Sequence, residues 1–216
     1  MNGLPRIGTK ISLTDKAYET IKDAIMTNYF KPGELLIEEK LAEKLAISRT
    51  PLRAALKRLA YEHLVDINSS RNVIVSNVSQ QDVEKITVVR QALEPVAVLS
   101  LENKIKGTQV EDLRKIVERE EEASIKKEYD ELIKMEYEFH VSIAKFTDNE
   151  WIYEMVKNIN TIIQRFLILS GSLNRYNKLA IEEHGEILKE IENGRYNKAA
   201  ENMKIHIIKV SNRMLK

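Results

Sequence analysis

Four histidines are the most chemically specific residues of this 216-residue chain: His63, His140, His184 and His206. The last three lie in separate segments whose apolar spacing is helical, and Glu136 shares a helix face with His140, four residues on. A helical bundle can direct side chains from several helices to one point in its core. Three imidazoles and a carboxylate could then ligate Zn, Ni, Mn or Fe, with positions left for water or a ligand. A single helical histidine is usually a surface or satisfied core residue, however, so spacing alone does not establish a metal site.

A second candidate site is the stretch "AISRTPLRAALKRL", residues 46–59. Arg49 and Arg53 are four apart and share a helix face, while the leucines lie on the opposite side. Pro51 falls in the first turn, where a backbone N–H has no partner within the helix. Arginine can bind guanine or a phosphate, although two arginines on an amphipathic helix are usually only surface residues. The predicted DNA contacts are Ser48, Arg49, Thr50, Arg53, Lys57 and Arg71.

Helices dominate the elements that must position these residues, since glycine (7) and proline (4) are scarce. The first three helices are predicted at 14–28, at 37–45 and from Ser48 onward. They are followed by β-branched runs at 64–67 and 73–75, which predict a hairpin. Three helices and a two-stranded wing predict a winged helix-turn-helix. Further helices are predicted at 80–104, 108–126, 127–146, 149–170, 176–193 and 195–215. The predicted domains are therefore 1–77, with an N-terminal arm at 1–13, and an all-helical unit at 78–216. Met135, Phe139 and Trp151 are predicted core residues.

Composition narrows the class of protein. Without cysteine the chain has no disulfides, thiolate metal sites or cysteine nucleophiles. No apolar run approaches the ~20 residues that span a bilayer, and the N-terminus has no secretory pattern, so we expect a cytoplasmic protein without a membrane partner. Net charge is only +1, but residues 1–77 hold 12 basic and 9 acidic residues, which weakly favours a polyanionic partner for this part.

Residues 30–65, "FKPGELLIEEKLAEKLAISRTPLRAALKRLAYEHLV", resemble the DNA-binding domain of the GntR family of bacterial transcription regulators. The similarity lies in the P-G turn, the L-A-x-x-L helix, the S-R-T-P-x-R stretch and the A-L-x-x-L that follows, and it extends over about residues 14–77. Ala54 stands where the family usually has glutamate, and Glu39 where some members have arginine. With these differences the chain is not expected to share the operator sequence of other family members.

The rest of the chain resembles the FCD domain, the six-to-seven-helix effector-binding domain of the FadR-like branch of this family. The matching segments are "TVVRQALE", "EYEFH", "FTDNEWI" and "EEHGEILKEIENGRYNKAAENMKIH". The resemblance implies that Glu136, His140, His184 and His206 hold a divalent ion (Zn, Ni or Mn), with Glu136 in place of the usual aspartate. Such an ion would brace the bundle and offer an open position to a small carboxylate effector. Arg90 and Arg165 are candidate partners of that carboxylate, with an exposed surface position as the alternative for Arg165.

These observations favour a transcription regulator rather than an enzyme. Most members of the family are repressors that a ligand releases from DNA. The resemblance therefore implies a homodimer that binds a palindromic operator in double-stranded DNA and responds to a small-molecule effector. In one alternative the metal ion itself is the signal. A metal-dependent hydrolase is less favoured, because the sequence shows no clear general base beside the site and leaves the first domain without a purpose.

Overall fold

Two compact units form the chain, and the boundary between them falls between Asn77 and Val78. The computed structural model describes residues 12–215, in which a winged helix-turn-helix precedes an all-helical bundle, so the predicted fold class is confirmed. Of the arm predicted at 1–13, residues 1–11 lie outside the described part. Ser12 caps the first helix and Leu13 is its first residue.

The first unit consists of three helices and a small antiparallel sheet. Its elements are α1 (Leu13–Met26), β1 (Leu35–Leu36), α2 (Glu38–Lys44), α3 (Arg49–Tyr61), β2 (Val65–Ile67) and β3 (Val73–Val75). Val65 pairs with Val75 in the predicted hairpin, and Leu35 of β1 pairs with Ile74 on the other side of β3. The sheet therefore has three strands rather than the predicted two. A strand of two residues has no alternation of apolar and polar positions by which the sequence could reveal it.

Apolar packing in the first unit determines which side of α3 remains exposed. Leu52, Leu56 and Leu59 are buried in one cluster with Ile21 and Ile25 of α1. Because these leucines recur every three or four residues, they cover one side of the helix only. The polar side of α3 is left to solvent.

The second unit is a bundle of six helices. They are α4 (Gln80–Leu99), α5 (Gly107–Lys126), α6 (Tyr129–Lys145), α7 (Glu150–Ser170), α8 (Leu173–Glu192) and α9 (Tyr196–Met214). α4 ends at Leu99 rather than at the predicted residue 104, and in the turns that follow Asn103 has a left-handed φ of 60°. None of the helices within residues 12–215 is both long and apolar enough to cross a membrane.

α6 packs on α5, α7 and α8 and carries much of the core of this unit. Met135 and Phe139 are buried there, as predicted, but the prediction for Trp151 is wrong, since its side chain is 78% exposed. Trp151 precedes the buried Val156 by five residues. On an α-helix this separation turns the Trp151 side chain roughly 140° away from the buried side.

Candidate metal centre and nucleic-acid interface

Three helices of the bundle bring together the four residues that were predicted to bind a metal. Glu136 and His140 lie one turn apart on α6, His184 lies on α8 and His206 on α9. One ligand atom from each lies within 4.8 Å of all the others. The four residues are at most 3% exposed, so this histidine cluster lies in the interior of the unit.

The Nε2 atoms and the carboxylate oxygens face one another at the centre of the histidine cluster. Nε2 of His184 is 3.2 Å from Nε2 of His206. Glu136 Oε1 is 3.5 Å from Nε2 of His140 and 4.0 Å from that of His206, and its Oε2 is 3.5 Å from that of His184. Both oxygens of Glu136 are therefore directed at imidazole nitrogens that could share a cation with them.

Each histidine presents its other ring nitrogen to a buried carboxylate, and we call these three residues the outer carboxylates. The Nδ1 atom of His140 lies 2.5 Å from Glu94, that of His184 lies 2.9 Å from Glu120, and that of His206 lies 2.8 Å from Glu183. An Nδ1–H that donates to a carboxylate leaves the Nε2 lone pair free to ligate. Hydrogen bonds to Glu120 and Glu183 thus orient the rings of His184 and His206 for binding at Nε2, whereas His140 Nδ1 lies in ion-pair contact with Glu94 and makes no hydrogen bond within residues 12–215.

Two features of this arrangement fit a divalent ion. Glu136 Oε1 is buried and accepts no hydrogen bond from any residue within 12–215, and a buried carboxylate oxygen left in that state is costly. If His184 and His206 both donate through Nδ1, neither Nε2 has a proton for the other, and two lone pairs meet at 3.2 Å. A cation would satisfy both features, and three imidazoles with one carboxylate are ligands that Zn, Ni, Mn and Fe accept.

Burial and neighbouring charges control protonation in the histidine cluster. Burial would raise the pKa of Glu136, but its interactions with His184 and His140 outweigh burial, so the pKa lies below its usual range and the group is anionic. Burial, reinforced by His184, lowers the pKa of His206 to about 3 and keeps its imidazole neutral. Burial also disfavours the charged form of His140, but Glu94 prevails and raises the pKa of this residue to about 9. A bound cation must therefore displace a proton from His140.

The two arginines predicted to contact an effector are both buried. Arg90 Nε donates to Glu94 Oε1 at 2.6 Å, and its Nη2 lies 3.3 Å from His140 Nε2, directly beside the histidine cluster. Arg165 on α7 is 1% exposed, so the alternative of an exposed position for it is wrong. Burial lowers the pKa of Arg165.

Sequence reasoning gave no role to the outer carboxylates Glu94, Glu120 and Glu183. Only weak signals were available, because Glu94 is four residues after Arg90 and Glu183 directly precedes His184. Glu120 stands among glutamates that are mostly exposed, and its own burial could not be inferred from that run.

In the first unit, the predicted DNA contacts share an exposed surface. Ser48 is the N-cap of α3, and Arg49, Thr50, Arg53 and Lys57 lie on the polar side of that helix. Arg71 is exposed in the turn between β2 and β3, with a left-handed φ of 62°. A groove of about 720 Å³ lies beside the helix, and Arg53, Lys57 and Arg71 are among the residues that line it. These cations are thus arranged along a concave surface.

Arg49 and Arg53 both form ion pairs with α2, which the sequence analysis missed. Arg49 Nη2 donates to Glu39 Oε1 at 2.6 Å, and Arg53 Nε donates to Glu38 Oε2 at 2.7 Å. The pairs span ten and fifteen residues of sequence, and no local spacing rule predicts contacts at that separation.

Comparison with known proteins agrees with both halves of this description. The family model for bacterial regulatory proteins of the gntR family matches residues 13–75, and the FCD domain model matches residues 85–209. The HTH-type transcriptional regulator YdhC of Bacillus subtilis is 26% identical over 175 residues, which cover 81% of this chain and 78% of that protein. The gluconate operon transcriptional repressor of Bacillus licheniformis is 27% identical over 146 residues, 68% of this chain and 60% of that protein.

Among solved structures, McbR/YncC of Escherichia coli has the same fold. It superposes with a TM-score of 0.79 at 20% identity, over 95% of this chain and 98% of that one. The FCD model alone matches more than half of the sequence. The chain therefore belongs to the GntR family of bacterial regulatory proteins and is a DNA-binding transcriptional regulator with a C-terminal FCD domain.

Proposed function

We propose that this regulator is a repressor that binds a palindromic operator as a homodimer and is released by a small carboxylate effector bound beside a divalent metal ion in the FCD domain. The observation that carries the DNA-binding part is the exposed polar side of α3, where Arg49 and Arg53 project from a helix whose leucines are buried. Such a helix suits the major groove, and the groove between α3 and the wing suits the adjacent phosphates.

Replacement of the recognition arginines tests this assignment. We expect Arg49→Ala and Arg53→Ala each to weaken binding to a duplex that the wild-type protein enriches from a randomised library, by roughly 10- to 100-fold, since a base contact contributes ~1–3 kcal/mol. Lys134→Ala removes an exposed cation from α6 of the other unit and is the control. Unchanged affinity of both arginine variants in a gel-shift titration would count against the assignment.

Residues of three helices would hold the metal ion: Glu136, His140, His184 and His206. When bound, the ion would supply positive charge and a coordination position for an anionic ligand. We expect His184→Ala to reduce the metal content per chain, measured by mass spectrometry after purification in Zn²⁺. His63→Asn is the control, because His63 lies in the other unit, is exposed, and has a left-handed φ of 56° that asparagine tolerates. Equal metal content in wild type and His184→Ala would refute the site.

Arg90 supports a carboxylate as the effector. Its guanidinium is 1% exposed and lies 3.3 Å from a nitrogen that faces the centre of the histidine cluster. Arginine binds carboxylates with two parallel hydrogen bonds, so a ligand held by the ion could also pair with Arg90. α4 carries Arg90 and begins at Gln80, three residues after Asn77, the last residue of the DNA-binding unit. Because the chain connects the two directly, a shift of α4 on effector binding would be transmitted to the DNA-binding unit.

The nearly complete burial of the histidine cluster favours a second candidate, a regulator for which the metal ion is itself the signal. His184 and His206 have no exposed surface. A site closed in this way suits an ion better than an organic molecule. Affinity for the enriched duplex, measured against free Zn²⁺ and separately against a panel of di- and tricarboxylates, distinguishes the two candidates.

An apolar stripe on α4 supports the homodimer. Val88, Val89, Ala92, Val96 and Leu99 are exposed at helical spacing, and the first of these is 67% exposed. Continuous apolar surface of this kind marks interaction sites. A second copy of the chain that covered the stripe would form a two-fold dimer, which matches a palindromic operator.

A further inference from the structure

The ion pairs between α2 and α3 place two carboxylates on the surface that is proposed to bind DNA. Glu38 and Glu39 are the first two residues of α2, and they contact Arg53 and Arg49 at 2.7 Å and 2.6 Å. Both glutamates also line the groove that contains Arg53, Lys57 and Arg71. Negative charge is thus built into a surface that must approach a polyanion.

The Arg49–Glu39 ion pair is too exposed to be explained by folding stability, whereas in the Arg53–Glu38 pair the glutamate is only 25% exposed. The side chain of Glu39 is 76% exposed and that of Arg49 is 54% exposed. Exposed pairs contribute little to stability, because water and salt screen them and two long side chains lose freedom. For the same reason an arginine can leave its glutamate for another anion at low cost.

Specific and non-specific DNA differ in what they can offer to such an arginine. Any duplex offers phosphates, and neutralisation of phosphates accounts for nearly all of non-specific binding. Only the correct base pair adds bidentate hydrogen bonds in the major groove. A carboxylate that already holds the arginine competes with a single phosphate more successfully than with a phosphate and a base together.

We propose that Glu39, assisted by Glu38, is a specificity-determining residue that competes with DNA for the recognition arginines and so lowers affinity for non-specific duplex more than affinity for the operator. The inference rests on the proposed role of Arg49 and Arg53 as DNA contacts. It assigns the two glutamates the opposite role to that of a DNA contact. Their removal should therefore strengthen binding rather than weaken it.

The test compares full-length Glu39→Gln and the double variant Glu38→Gln/Glu39→Gln with Glu43→Gln. Glu43 is an exposed glutamate one turn further along the same helix, and within residues 12–215 Arg49 and Arg53 pair with Glu39 and Glu38 instead, so its substitution makes the same charge change without releasing either arginine. The probes are a 30-base-pair duplex of random sequence and the duplex enriched by the wild-type protein, in fluorescence anisotropy titrations at several salt concentrations. Circular dichroism melts check that each variant is folded.

We expect Glu39→Gln to bind the random duplex about fivefold more tightly, the factor available from exchange of one exposed ion pair, and the enriched duplex less than twofold more tightly. The salt dependence on random duplex should steepen by about one phosphate contact for each arginine released. The double variant should lose more selectivity than Glu39→Gln. Glu43→Gln should shift both affinities equally.

Three results would overturn the inference. An unchanged ratio of the two affinities in both variants would show that the glutamates do not discriminate. A Glu39→Gln ratio equal to that of Glu43→Gln would show only a general effect of charge. Weaker binding to the enriched duplex, with a different sequence enriched by the variant, would show that Glu39 reads a base directly. If Arg49→Ala and Arg53→Ala also leave both affinities unchanged, the proposed DNA contacts themselves fail. If the arginine variants lose selectivity while the glutamate variants keep it, only the role of Glu39 is refuted.

Discussion

At the scale of single residues, the outer carboxylates determine what the histidine cluster can bind. Glu120 lies 2.9 Å and 3.1 Å from Nδ1 of His184 through its two oxygens. Burial raises the pKa of Glu120, although His184 partly counteracts it. A cation at Nε2 would strengthen the Nδ1–H donor and favour the ionised form of Glu120, so binding of the cation and ionisation of Glu120 reinforce each other.

Glu120→Gln tests this reinforcement. The amide can still accept from Nδ1–H but carries no charge, so we expect Zn²⁺ affinity to fall about tenfold, the lower end of the range for such partners. Competition with a chelating dye measures the affinity. Glu121→Gln, which changes the exposed neighbour on the same helix, should bind like the wild type. Equal affinity in both variants would show that Glu120 has no influence on the ion.

The sequence could anticipate the residues that converge at the centre of the histidine cluster but not those around them. His140, His184 and His206 are rare residue types at spacings that resemble the family pattern, and Glu136 is tied to His140 by one helical turn. Glu120 instead belongs to a helix with many acids, and the sequence cannot say which of them is buried. Glu94 is spaced four residues from Arg90, which is equally compatible with an exposed ion pair. The contacts of Glu120 and Glu183 with their histidines also depend on where separate helices pack, and residue spacing does not contain that information.

At the scale of elements, all six helices of the second unit contribute to one polar network. α6, α8 and α9 supply the four central residues, while α4 supplies Glu94 and α5 supplies Glu120. α7 joins through Asn160, whose amide donates to Glu94 at 3.1 Å. A cation at the centre would therefore connect to every helix of the bundle, directly, through one polar contact, or, for α7, through two.

Removal of metal should destabilise this unit as a whole. A ligand at 100 times its Kd stabilises the native state by about 2.7 kcal/mol, which for a domain of this size corresponds to a rise in Tm of roughly 5–10 °C. We expect EDTA to lower the Tm by that amount in scanning calorimetry and Zn²⁺ to restore it. The double variant His184→Ala/His206→Ala should show no response to either. A wild-type Tm that is insensitive to both would mean that no ion braces the bundle.

Elements differ in how well the sequence predicts them. Long helices with an apolar face, such as α5 and α9, begin and end within two residues of the predicted positions. β1 is two residues long and exists only because β3 lies alongside it. The end of α4 depends on a left-handed residue, Asn103, in a segment whose composition remains compatible with helix. Local preference determines the first case, and tertiary contact or backbone conformation determines the other two.

At the scale of the whole molecule, the apolar stripe of α4 is left exposed by the described part of the chain. Val88 and Val96 are 67% and 47% exposed although they lie on the helix that also carries Arg90 and Glu94 into the polar network. One side of α4 thus contacts the proposed effector site while the opposite side is available to a partner. A dimer built on this helix would allow a ligand in one FCD domain to influence how two copies are held on DNA.

A charge placed in the stripe should separate such a dimer. Val96→Glu would bury a carboxylate in an apolar interface, so we expect the dimer to weaken by roughly 100-fold or more. In light scattering coupled to gel filtration, the wild type should have about twice the chain mass of 25.0 kDa, and the variant a mass near that of one chain. Ile125→Glu makes the same kind of change at a residue that is 82% exposed on α5, and this control should remain dimeric.

Val96→Glu should also lose the preference for a duplex with two half-sites over one with a single half-site, because that preference depends on two linked recognition helices. A Val96→Glu protein that stays dimeric, or a monomeric wild type, would show that α4 does not form the interface.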